Sequence, residues 1–94
     1  MIAEWHLAAV EAAPPTLNQL RARYESAIAW EQRTRTALDQ EREAYARALL
    51  AGQPGDAELV RTRSQNWRHA ARDVRRAEYA LTEWLLGFSL ATAG

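Results

Sequence analysis

The 94-residue chain contains no cysteine and no lysine, one phenylalanine, one methionine, three prolines and four glycines. Without cysteine there is no disulfide framework, no thiolate nucleophile and no cysteine-based zinc site. Twelve basic residues balance twelve acidic ones, so no global field draws the chain toward nucleic acid or an acidic membrane. All twelve basic residues are arginine, which fits a GC-rich coding bias better than a function. Long apolar runs are missing too. Residues 1–13, MIAEWHLAAVEAA, carry Glu4 and Glu11, lack a basic start and are too short to span a bilayer. A cytoplasmic location without signal peptide or transmembrane segment is the expectation, with non-classical secretion left open.

What is present is helical. Almost half of the residues are apolar, with alanine a large share, and all the glycines and prolines before Gly87 are gathered at two breaks. Pro14-Pro15 forms the first break, and Gly52-Gln53-Pro54-Gly55-Asp56 the second. Thr16 with Gln19 three residues later has the capping-box arrangement, Gly52 is a helix terminator, and Asp56 can cap a following helix. These signals predict a single helical domain: a short N-terminal helix over 1–13, helix 1 over 16–51, a turn at 52–56, helix 2 over 57–87 and an apolar tail over 88–94.

Val60, Trp67, Val74, Leu81 and Phe88 recur every seven residues, the seam of a helix packed lengthwise on another. Small residues, among them Ala70 and Ala77, occupy the d line that accompanies them. On helix 1 the corresponding a line is Leu17, Tyr24, Glu31, Leu38 and Tyr45, with Leu20, Ala27, Thr34, Glu41 and Ala48 at d. The short connection makes the helices antiparallel neighbours. The fold class is therefore all-α, an antiparallel, coiled-coil-like helical hairpin. Its N-terminal helix could complete a three-helix bundle, or two copies could form a dimeric four-helix bundle. With equal rise on both sides of a turn centred near Gln53 and Pro54, facing residue numbers total about 107. That register sets Glu31 beside Arg75 or Arg76, Leu38 beside Ala70 and Trp67, and Tyr24 beside Trp84.

No chemistry accompanies this architecture. His6 and His69 lack a second ligand at helical spacing, and no serine or threonine sits in a nucleophile-elbow or phosphate-loop context. No catalytic, metal-binding or cofactor-binding residue is assigned, and an enzyme is not expected. Two surfaces remain. Trp5, Trp84, Leu85, Leu86, Phe88 and Leu90 exceed what one hairpin face can bury, which points to a second copy or a helical protein partner. Arg61, Arg68, Arg72 and Arg75 share the outer face of helix 2 and supply an alternative reading, phosphate binding on structured RNA. Helix 1 offers no matching cationic line, so nucleic acid is the lesser expectation. A membrane is not expected, because the apolar tail lacks flanking basic residues.

Tyr79 and Glu83 form a Tyr-x-x-x-Glu pair near the end of helix 2. The pair resembles the secretion signature of the WXG100 helical-hairpin family. The turn, Ala-Gly-Gln-Pro-Gly, departs from that family's Trp-x-Gly, and the chain is not assigned to it. The leading expectation is a non-enzymatic interaction module, a chaperone, assembly or accessory factor.

Overall fold

A computed structural model describes the backbone of residues 14–93 and the side chains of residues 14–87. Two helices, α1 (Leu17–Leu50) and α2 (Ala57–Ala93), pack against each other as an antiparallel hairpin, with no strand among the described residues. The short helix expected over 1–13 lies outside the described residues.

The ends of α1 follow from its local chemistry. Thr16 has extended backbone and closes a capping box with Gln19, its hydroxyl accepting from the Gln19 N–H at 3.2 Å and its own N–H donating to Gln19 Oε1 at 2.9 Å. At the other end Gly52 adopts φ +72°. Its N–H donates to the Leu49 carbonyl at 3.1 Å, and the Gln53 N–H reaches back to the Ala48 carbonyl at 2.8 Å. This is a Schellman closure, and glycine accommodates the positive φ at little cost. Asp56 then caps α2 through the Leu59 N–H at 2.9 Å.

Every a and d position from Leu17 to Ala48 and from Val60 to Trp84 is buried or half-buried, and their outward neighbours are mostly exposed. The seven-residue seam thus organises both helices. Its buried apolar members among the described residues are Leu20, Leu38 and Ala70. Thr34, buried at a d position, satisfies its hydroxyl by donating to the carbonyls of Trp30 and Glu31.

Two expectations need correction. The facing register is displaced: Glu31 meets Trp67, not Arg75 or Arg76, a difference of about two helical turns. The cause is the connection. After Gly52 the chain doubles back beside the last turns of α1, and Gly55 lies flat against the ring of Tyr45, where a Cβ would collide with the aromatic carbons. α2 therefore starts alongside α1 and not beyond it. Leu49 and Leu50 are left uncovered at the turn, and the far end of α2 projects past the start of α1. The second correction concerns length, since α2 continues through Gly87 to Ala93 where an apolar tail was expected. A lone helical glycine costs about 1 kcal/mol, and no proline follows to end the helix.

Candidate interaction surface

A polar cross-link spans the seam between the two helices. The Trp67 indole N–H donates to Glu31 Oε1 at 3.0 Å, and Arg35 on the next turn of α1 pairs with the same carboxylate oxygen. The Glu31 side chain is only 12% exposed, yet its carboxyl titrates below the ordinary glutamate range. The indole hydrogen bond is the main cause; burial opposes it, and Arg35 adds a smaller favourable contribution. Glu31 was expected to find an arginine across the seam. Its arginine comes from its own helix, and the partner that crosses the seam is an indole. Arg63, also on the seam, has its Nε buried without a hydrogen-bond partner.

The proposed partner residues fall at the far end of α2. Leu85 and Leu86 are exposed, at 48% and 58%, while Trp84 on the seam is half-buried. Trp5 lies outside the described residues, as do the side chains of Phe88 and Leu90. The apolar cluster is thus described through Trp84, Leu85 and Leu86.

Of the four candidate arginines, Arg68, Arg72 and Arg75 line one shallow groove with Trp67 and Ala71. All three are exposed. Arg61 instead pairs with Glu58 at 2.9 Å on the preceding turn. Arg35 of α1 is engaged in its ion pair with Glu31, so α1 adds no free cation to that groove.

The opposite flank holds a feature the sequence reading missed. An open groove of about 640 Å³ lies between the helices, lined by Leu20, Ser26, Ala27, Trp30, Ala77 and Ala80, with Arg23, Asp73 and Arg76 beside them. Trp30 is 47% exposed, and the Arg33 guanidinium stands 5.4 Å from its ring centroid. The available signal was a tryptophan directly beside the seam residue Glu31, with alanine and serine on the neighbouring turns.

The Tyr79 hydroxyl donates to Glu83 Oε1 at 3.0 Å on the exposed face of α2, and that hydrogen bond raises the phenol above its ordinary value. His69 is exposed, and no group of three potential metal ligands gathers among the described residues. No helix among those residues is long and apolar enough to cross a membrane. No family model matches the chain, and no curated protein or solved structure matches it.

Proposed function

We propose that the chain is a non-enzymatic interaction module, a helical hairpin that pairs with a second copy or docks on a partner helix through the far end of α2. One observation carries the reading: among the described residues only three apolar side chains of the seam are buried and the rest of it is half-buried, while Leu85 and Leu86 face solvent. A hairpin with so little core gains much from a second surface. Trp84, Leu85 and Leu86 begin an uncharged stretch, so a partner can cover that end without stranding a charge. In this reading the seven-residue seam is a short antiparallel coiled coil whose open end is the docking site. A chaperone, assembly or accessory role fits that use.

Light scattering across a concentration series, with an apolar-surface dye in parallel, tests the reading. Growth in mass with concentration supports pairing, and dye binding to a monomer supports docking on a different protein. A strict monomer that binds no dye excludes both.

A second reading is supported by the groove that gathers Arg68, Arg72 and Arg75 beside Trp67. Three exposed cations next to an aromatic edge suit the phosphates of structured RNA. Gel shifts that weaken steeply with salt and with Arg68→Ala and Arg72→Ala support it; absence of binding at low salt removes it.

A further inference from the structure

We propose that the pocket lined by Trp30, Arg33, Thr34 and Ala37 of α1 and by Arg63 and Asn66 of α2 is a binding site for a dianionic phosphate monoester. It shares no residue with the far end of α2 or with the groove of Arg68, Arg72 and Arg75, so it adds a ligand that neither reading above contains.

Arg63 is the origin of the site. The seam holds this arginine half-buried between the helices, with its Nε enclosed and without a hydrogen-bond acceptor among the described residues. An enclosed donor left unmet carries its full desolvation cost, so it is stabilised by any acceptor that reaches it. The ion pairs of the described residues do not provide one, because they use Arg35, Arg47 and Arg61. Glu31, a carboxylate of the seam, is already held by Trp67 and Arg35.

Arg33 brings a second cation to the same pocket from the other helix. Its guanidinium stands 5.4 Å from the Trp30 ring centroid, a cation–π contact that does not consume its N–H groups. Asn66 adds an amide that can donate. Thr34 adds no donor, since its hydroxyl proton is committed to the carbonyls of Trp30 and Glu31. No acidic side chain lines the pocket, so the two guanidinium charges are unopposed there.

Size and valence select the ligand. At about 150 Å³ the pocket is smaller than the roughly 300–1,000 Å³ of a cofactor site, so it admits a charged group and not a whole cofactor. A carboxylate has two oxygens, and a single guanidinium fork engages both. A phosphate monoester has three terminal oxygens and a charge approaching −2, so forks arriving from two helices can share them. The exposed Trp30 ring is then available to the organic part of the ester.

Phenyl phosphate, inorganic phosphate and benzoate, titrated separately into the isotope-labelled full chain at constant ionic strength, test the site. The side-chain N–H signals of Arg63 and Asn66 should move with phenyl phosphate, saturate at a lower concentration than with inorganic phosphate, and respond little to benzoate. Arg33→Gln at an exposed position, and Arg63→Met, which keeps bulk in the seam, should each weaken phenyl phosphate binding about tenfold or more. Arg68→Ala should leave it unchanged. Tighter binding of inorganic phosphate identifies the free ion as ligand and overturns the ester assignment. Equal affinity for benzoate, undiminished binding in Arg33→Gln, or shifts confined to Arg68, Arg72 and Arg75 overturns the site itself.

Discussion

At the scale of single residues, the Trp67–Glu31 hydrogen bond ties the two helices at a defined height. A hydrogen bond to a charged group contributes about 1.5–3 kcal/mol, so Trp67→Phe, which keeps a ring and removes the donor, should cost about 1.5 kcal/mol in chemical denaturation. Trp67→Ala should cost more, about 3 kcal/mol, at the low end for an aromatic truncation because the ring is half-buried. The same contact makes stability depend on acid. The Glu31 carboxyl is held below its ordinary value in the folded chain, so the unfolded chain takes up the proton first as pH falls. Its contribution is whole above the ordinary glutamate value and disappears as pH drops through the lowered one. Melting temperature should therefore fall below about pH 4.5, more steeply than in Glu31→Gln. Equal acid slopes for the two proteins would show that Glu31 is not the linked group. Tyr79→Phe is a useful contrast: the ring is exposed, its hydroxyl bonds only within α2, and the change should stay within about 0.5 kcal/mol.

At the scale of elements, three glycines have three different roles, and substitutions separate them. Gly52 holds φ +72°, so Gly52→Val should destabilise the turn by about 1–2 kcal/mol through backbone conformation alone, since the space around it is open. Gly55 has no positive φ; its lack of a Cβ lets Tyr45 lie on the backbone, and Gly55→Ala should cost about 1–3 kcal/mol by overpacking. Gly87 lies within α2 with nothing near it, so Gly87→Ala should raise stability by about 0.5–1 kcal/mol. Thermal melts of the three variants check these signs, and a stabilising Gly55→Ala would contradict the Tyr45 contact. The caps at Thr16 and Asp56, the Gly52 stop and both a and d lines were legible in the sequence, because each depends on residues a few positions apart. The facing register was not. It depends on how Gly55 sits against Tyr45, a contact between residues ten apart that no local pattern encodes. Trp30 and the groove were hidden because their exposure follows from which flank of the seam each helix leaves open.

At the scale of the whole molecule, the displacement of the helices converts a seam into a surface. Had α2 begun where α1 ends, the two helices would cover one another along most of their length. Starting beside Tyr45 instead, α2 runs on past the start of α1, and Leu85 and Leu86, just after the seam residue Trp84, are exposed there. The turn end is uncovered as well, through Leu49 and Leu50, but Glu43 and Arg47 pair on the turns just before them. From Trp84 onward the sequence carries no charge, so the far end is the better candidate for burial. If two chains bury that end together, folding and association are linked, and melting temperature rises with protein concentration. The double variant Leu85→Glu with Leu86→Glu should abolish that rise and lower the mass seen by light scattering to that of one chain. Both positions are exposed on α2, so the hairpin seam should survive and helical circular dichroism at high concentration should change little. Leu50→Glu, at 90% exposure on the turn, should leave the concentration dependence intact. A wild-type melting temperature independent of concentration, or a rise that survives Leu85→Glu with Leu86→Glu but vanishes with Leu50→Glu, would move the contact away from the far end.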